Sequence, residues 1–558
     1  MAGEGELQFP QPVIQHLQSF LTGKEAARTT IVSKSWNSAW LTRPNLDFDD
    51  IHFMGSRNRT YFGEYKRSSV DDFRIHSKKT IKRYEQSNLK IESFKLFMRF
   101  YHYGCTGELA KELIVKALRI GATRLNLRLD CKLYVLPDEV FGADNLAELS
   151  VSGCRIKLYD GVVIKCRSLE SLSLDGVYDI TIDKVSKIVS SCPCIEKFSL
   201  LSSFYQEYED GSIKIYKFGS DDVYKGVEER GQRVLDAAAS TVMAVGVVDN
   251  LIPRLRCLVL GYVWFKTLCL GDLLSRFPFL KDFTLFLNHS TDTSFEEGIQ
   301  ISNCSLELIK LVLEGFSFAG NKKLRVKFDV PSVRKFTFEG DAIPCLSFIS
   351  TPPSREWESH VSIECDPQHG FSAFWFNELS ELLTQLSQSK THLHVYANLE
   401  TFDYKVGDTI IQGLRKHDLE NLTIDMTGLP TLSCYALFDC LFRVCRPKLI
   451  TQYYKDGPRK RRYIQRHRNY FYKNDNSTEI ITNIHFLCQT LEQGVHLKVS
   501  SPAQFMYGLN DLEEVNAQAF DVDNVPAEWR PIPLDSLDEH EIMQAKQRIR
   551  LLLKWKTS

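Results

Sequence analysis

Nine short stretches of this chain share one spacing: an apolar residue, two arbitrary residues, a second apolar residue, one arbitrary residue, a third apolar residue. They are Ala122/Leu125/Leu127, Leu146/Leu149/Val151, Leu169/Leu172/Leu174, Ile195/Phe198/Leu200, Leu255/Leu258/Leu260, Leu280/Phe283/Leu285, Leu308/Leu311/Leu313, Val333/Phe336/Phe338 and Leu419/Leu422/Ile424. From 122 to 195 the first positions step by 24, 23 and 26; from 255 to 333 they step by 25, 28 and 25. No one phrase can bury its apolar residues alone, but stacked copies can, each contributing a strand per turn. The spacing therefore predicts a leucine-rich solenoid, an α/β fold with a parallel β-sheet and outer helices. Such an array is a binding surface before it is anything else.

Length and charge narrow the options. The chain has 558 residues, more than one small core can hold. Its 69 basic and 70 acidic residues nearly cancel, so no global field argues for nucleic acid or membrane. The opening Met-Ala-Gly-Glu-Gly-Glu lacks a basic n-region and an apolar h-region, so no secretory leader is expected. The apolar stretch from Ala237 to Val248 is too short to span a bilayer. Fifteen cysteines are scattered where small apolar residues pack, among them Cys154, Cys257, Cys304 and Cys365. Together these features predict a reducing compartment, cytoplasmic and/or nuclear.

The first fifty residues read differently. Val13, Leu17, Phe20 and Leu21 lie on one helical face, and Pro10 and Pro12 fit only that helix's opening. After Gly23, Thr22-x-x-Glu25 reads as a capping box opening a second helix through Ala26, Ala27 and Ile31. Trp36 and Trp40, spaced i, i+4, mark a third, stopped by Pro44. The stretch also carries Phe9-Pro10, Ile14-x-x-Leu17-x-x-Phe20-Leu21, Lys24-Glu25-Ala26-x-Arg28-Thr29, Val32-Ser33-Lys34-x-Trp36, Trp40 and Pro44-Asn45-Leu46-x-Phe48. In these it resembles the F-box of plant F-box/leucine-rich-repeat proteins. One departure is Gln11-Pro12, which stand where the family usually has acidic residues. The resemblance implies a substrate receptor of a cullin–RING ubiquitin ligase. Its F-box would dock a SKP-family adaptor on a cullin scaffold through Phe9, Pro10, Val13, Ile14, Leu17, Leu21, Val32 and Trp36. Its repeats would hold an unknown substrate protein.

The expected organisation is an F-box at 7–50, a linker at 51–90 with a helix near Val70–Tyr84, and a solenoid at 91–450 starting at Ile91/Phe94/Leu96. Helices such as Glu108–Arg119 and Asp183–Ser191 would cover its outer side. The phrase lapses near 203–250, predicting an irregular insertion with a helix at Arg233–Val245. Further on, Val361/Ile363 and Leu393/Val395 hold the spacing, with helices at Phe374–Leu386 and Tyr435–Val444. A basic loop at 451–476 and a closing turn at 477–558 complete the chain. In the latter, a helix at Thr478–Leu491, a strand at Val495–Val499 and an irregular 501–534 precede a cap helix. Ser536-x-x-Glu539, Ile542, Ile549, Leu552 and Leu553 mark that helix.

Residues between the apolar positions of each strand face the other way, onto the expected concave surface. That places Arg128, Asp130, Asp175, Lys197, Asp282, Phe286, Lys310, Glu314, Lys335, Glu339, His360, His392, His394 and Tyr396 on a substrate-binding face. The pair His392-x-His394, with His360 and Cys365 nearby, lacks the spacing of a zinc set, so no metal is expected. Cys192-Pro-Cys194 and Cys434/Cys440/Cys445 read as packed thiols. Arg459, Lys460, Arg461 and Arg462 form a basic run that reads as a nuclear import signal or a solvated loop, with little ground for a nucleic-acid contact. No phosphate loop, nucleophile elbow or zinc-protease motif is present, so neither catalysis nor a cofactor is expected. A ligase receptor, an interaction scaffold outside any ligase and a small-molecule-dependent receptor remain open.

Overall fold

The computed structural model describes residues 9–21, 23–50, 53, 67–99, 106–131, 133–157, 164–177, 187–189, 191–201, 206–207, 213–214, 254–261, 270, 274, 277–288, 298–314, 324–350, 357–364, 373–396, 414–425, 437, 440–452, 512–521, 530–532 and 547–556. The chain divides into two compact units, Met1–Lys214 with Gly231–Trp264, and Ile215–Arg230 with Phe265–Ser558.

The first unit opens with three short helices, α1 (Gln11–Ser19), α2 (Gly23–Arg28) and α3 (Lys34–Leu41). Pro10 at the N-cap and Pro12 in the first turn start α1, where a missing N–H costs nothing. Ser33 caps α3 by accepting from Trp36 N at 3.3 Å. Thr22, the other half of the expected capping box, lies outside the described residues. Strands follow at β1 (Asn45–Asp49), β2 (Ser93–Arg99), β3 (Arg124–Asp130), β4 (Glu148–Ser152), β5 (Ser171–Asp175), β6 (Lys197–Leu201) and β9 (Cys257–Gly261). They pair in that order, all parallel, each one turn from the last. A separate antiparallel pair, β7 (Gln206–Glu207) and β8 (Ile213–Lys214), stands before β9. Helices α4 (Arg67–Gln86) and α5 (Thr106–Arg119) pack together, and α5 lies against β2.

The phrase's physics is visible at each turn. The third apolar positions form one buried rung, with Phe48, Leu96, Leu127, Val151, Leu174, Leu200 and Leu260 in register and almost wholly covered. Just before each strand one carbonyl accepts two amides of the next turn: Thr123 O takes Ala147 N and Glu148 N, and Ala147 O takes Glu170 N and Ser171 N. This ladder fixes the step between turns.

The first rung lies earlier than the sequence indicated. Strand β1 pairs with β2 from Leu46↔Phe94 to Phe48↔Leu96, so the array begins within the forty-residue helical stretch. Its phrase is Arg43/Leu46/Phe48, with a cation at the first apolar position. Arg43 is buried, its guanidinium 3.9 Å above the Trp40 ring, and its carbonyl accepts from Tyr84 Oη at 2.7 Å. Stacking on indole supplies a place for a charge where leucine is usual.

The second unit has two layers. Its main sheet runs β10 (Asp282–Asn288), β12 (Leu308–Glu314), β14 (Lys335–Gly340), β16 (Glu358–Glu364), β17 (Lys390–Tyr396), β19 (Asn421–Asp425) and β21 (Leu449–Gln452), all parallel. Behind it β11 (Ile299–Ser302), β13 (Arg325–Asp329) and β15 (Cys345–Ser350) form a second parallel sheet. Phe328 and Phe348 stack at 4.9 Å between the layers, with Phe336 5.3 Å and 5.5 Å from them and Trp357 5.4 Å from Phe348. The backing layer continues with α6 (Ala373–Gln385), which buries Phe376, Leu379 and Leu382, and a short parallel pair, β18 (His417–Leu419) and β20 (Cys445–Pro447). The outer side is thus strands as well as helices. Val326 and Phe328 alternate as a strand should, but they fall between phrases, where a pattern of one strand per turn leaves no place for a second.

Two other expectations are corrected. Leu308 is 42% exposed, whereas Leu306, Ile309 and Leu311 are buried, so this turn's phrase is Leu306/Ile309/Leu311. Its first positions then step 26 from Leu280 and 27 to Val333. The run Leu306-x-Leu308-Ile309-x-Leu311-x-Leu313 fits the spacing in two frames, and only register separates them. The expected cap helix is instead β24 (Gln547–Trp555), antiparallel to β21 and to β22 (Leu512–Asp521), which itself pairs with β23 (Arg530–Ile532). Ile549, Leu551 and Leu553 alternate in a short apolar run that helical counting also accepts; Leu551 and Leu553 are buried. Trp555 Nε1 donates to Pro447 O at 2.7 Å and locks the strand down. The expected helices at 233–245 and 478–491, the strand at 495–499 and the basic run at 459–462 lie outside the described residues.

Candidate functional site

The first candidate surface is the outer face of α1. Ile14 and Gln18 turn inward, toward α3. Gln18 Nε2 donates to Thr29 Oγ1 at 2.9 Å and to Trp36 O at 3.2 Å, while Gln15 Nε2 reaches Thr42 Oγ1 at 2.9 Å. These bonds fix which side of α1 faces solvent. On that side stand Phe9, Val13, Leu17, Phe20 and Leu21, all exposed, with Phe20 74% accessible. Ile31 and Val32 add a second exposed apolar pair, 90% and 64% accessible. Apolar residues concentrated on a water-facing surface are a common feature of interaction sites. Pro10 is exposed and Trp36 half-buried. Ile14 is wholly buried, so it anchors α1 and cannot itself meet a partner; it leaves the set expected from the sequence. The first turn of α1 contains no acid.

The other candidate surfaces are the polar sides of the two main sheets, one in each unit. In the first unit Arg128, Asp130, Asp175 and Lys197 are exposed on it, and Arg128 Nε lies 3.6 Å from Asp130 Oδ1. Serines dominate the rung between them: Ser150, Ser173 and Ser199 stand in register. In the second unit Asp282, Phe286, Lys310, Lys335, Glu339, His392, His394 and Tyr396 occupy this side, while the side chain of Glu314 lies outside the described residues. Lys310 Nζ meets Glu339 Oε1 at 3.1 Å across two strands.

The histidines form the most concentrated chemistry there. His360 on β16 is the register partner of His392 on β17, and their rings stack at 4.6 Å and 4°. Glu358 stands two residues before His360, on the same side of the strand; its Oε2 lies 3.4 Å from His360 Nε2. Burial lowers both imidazole pKa values, and the bond to His360 holds Glu358 below the ordinary carboxylate range. His394 and Tyr396 follow on β17, with rings 3.9 Å apart. Sequence spacing pairs His392 with His394 and leaves His360 only nearby; register sets His360, 32 positions earlier, directly beside His392 and adds Glu358, which no spacing singles out.

Among the described residues, Cys154, Cys192, Cys440 and Cys445 are buried as expected, and so is Cys166; Cys194 and Cys257 are half-buried, and Cys304, expected to pack, is exposed, as is Cys345. Burial pushes Cys154, Cys192 and Cys445 up to about 12 and Cys166 to about 11. Also among the described residues, no helix is long and apolar enough to cross a membrane.

No family model matches the chain. It is similar to an F-box/LRR-repeat protein of Arabidopsis thaliana, with 29% identity over 216 residues, 37% of this chain and 40% of the relative. A second F-box/LRR-repeat protein of A. thaliana is 27% identical over 200 residues, 36% of this chain and 58% of that relative. The chain thus matches between about two fifths and three fifths of the length of these curated relatives. Over that stretch of about a third of its length, it resembles the plant F-box/leucine-rich-repeat proteins.

Proposed function

We propose that this chain is the substrate-recognition subunit of an SCF-type E3 ubiquitin ligase. The helices α1–α3 act as the F-box, docking a SKP-family adaptor held on a cullin scaffold. The polar side of the parallel sheets holds the target protein. The observation that carries this reading is the outward apolar face of α1: Val13, Leu17, Phe20 and Leu21 are exposed although Ile14 beside them is fully buried. A helix that merely capped the array would turn such residues inward. The relatives' names support the same reading.

The mechanism needs no reactive group on this chain. Holding a target lysine near the activated ubiquitin carrier turns an encounter into an effectively intramolecular step. The chain sets position, and the scaffold brings the chemistry.

Reconstitution tests the proposal. With adaptor, cullin–RING scaffold and the ubiquitin-activating enzymes, the full chain should itself become conjugated, as a receptor held beside the carrier exposes its own lysines. Conjugation that is absent, or equal without adaptor, would refute it. A second reading, an interaction scaffold outside a ligase, is favoured by the acid-free first turn of α1, which forgoes favourable charge at a helix start. That scaffold would keep a target-binding sheet and show no adaptor affinity.

A further inference from the structure

We infer that Glu358, His360 and His392 form a three-ligand site for a zinc-class divalent cation on the polar side of the second unit's main sheet. Their candidate donor atoms all lie within 4.8 Å of one another. The two histidines are register partners on adjacent parallel strands, about 4.8 Å apart along the sheet, and Glu358 shares their side at i−2. The backbone therefore brings three donors to one place without any loop having to order.

The donor set selects the cation. Two imidazoles and one carboxylate suit zinc and its borderline neighbours and give little to calcium or magnesium, which take oxygen shells. Zinc sites with three protein ligands leave the fourth position to water, and here that position opens toward solvent, since Glu358 is exposed. In the metal-free arrangement the rings are parallel, so their lone pairs do not converge. Metal–ligand bonds of about 2 Å bring tetrahedral donors to roughly 3.3 Å from each other. Turning the two half-exposed rings about their Cβ–Cγ bonds and closing the gap by about 1.5 Å satisfies both demands.

The charge around the two imidazoles is also balanced. The charged groups around them are Lys335 on β14, Lys390 on β17, Glu358 on β16 and Glu420 beside β19, so two cations face two carboxylates. The incoming cation therefore meets Glu358 and Glu420 rather than a wholly positive surface.

Cobalt titration of the full chain tests the site. The expected result is one Co²⁺ per chain with visible d–d absorption, displaced by Zn²⁺ and weakening as acid protonates the imidazoles. Because losing an outer-shell partner alone costs about 10- to 100-fold in affinity, His392→Ala and Glu358→Gln should each cost at least about that much. Circular dichroism melts of the metal-free variants report folding, and the exposed Glu358→Gln decides the matter should His392→Ala melt early. Intense near-ultraviolet thiolate bands would place the metal on some of the fifteen cysteines and overturn the proposal. So would wild-type affinity in Glu358→Gln, or no cobalt binding at all.

Discussion

Leu306 and Leu308 stand two residues apart in a run where either could open a turn's phrase, and the structure gives them opposite fates. Leu306 is fully buried, level with Leu280 and Val333 in the neighbouring turns, whereas Leu308 is 42% exposed. Truncating a buried leucine removes its transfer free energy and leaves a cavity, about 2–5 kcal/mol. An exposed leucine away from special features costs within about 0.5 kcal/mol. Turns of a solenoid lean mainly on their neighbours, so the loss should appear locally before it appears globally. At about 1.4 kcal/mol per decade, Leu306→Ala should speed amide exchange in β10, β12 and β14 by roughly 30- to 4,000-fold, and Leu308→Ala by no more than about twofold. Hydrogen exchange with mass spectrometry reads both on the full chain. Equal protection loss in the two variants, or a larger loss in Leu308→Ala, would refute the register assigned to β12.

Gly153 has φ +72°, and a Cβ there would meet Leu129 O at 2.8 Å; Gly153→Ala should cost the first unit about 1–2 kcal/mol or more from the left-handed backbone alone, read as a lower urea midpoint. Four histidines, His76, His360, His392 and His417, have pKa values lowered by burial from 6.5. Between 6.5 and the folded values the unfolded chain binds more protons, so stability should be level above 6.5 and fall as pH drops below it; a urea midpoint unchanged or rising there would contradict this. Native alkylation followed by mass spectrometry should label Cys304 and Cys345 and spare Cys154, Cys166, Cys192 and Cys445, whose thiols are buried and raised. Early labelling of the latter group would mean that those turns open.

The legible part of the fold was what repeats. In β3 to β6 each phrase is short, isolated and separated by non-apolar residues, so spacing alone set both the step and the buried side. Where apolar residues crowd, as from Leu306 to Leu313, the same pattern fits two frames. The backing strands β11, β13 and β15 were missed because one strand per turn was assumed, although Val326 and Phe328 alternate plainly. The first rung was missed because Arg43 breaks the apolar rule, which burial against Trp40 permits. In the closing strand β24 a triple leucine suits helix and strand alike, and only pairing with β21 and β22 decides. Of the candidate sites, the apolar face of α1 was readable from helical spacing, but Ile14 fits the same helix and only packing removes it. His360 could be placed near His392 from the sequence, but their side-by-side pairing, and Glu358 with it, depends on a register joining positions 32 apart.

The central claim is that α1 presents an adaptor-docking face. The direct measurement is the affinity of the full chain for a plant SKP-family adaptor, wild type against Val13→Asp/Leu17→Asp, with melting followed in both. Both substituted residues are 42% exposed, so the variant should fold as the wild type does and lose binding. A folded wild type that does not bind, or a variant that binds as well, would contradict the account.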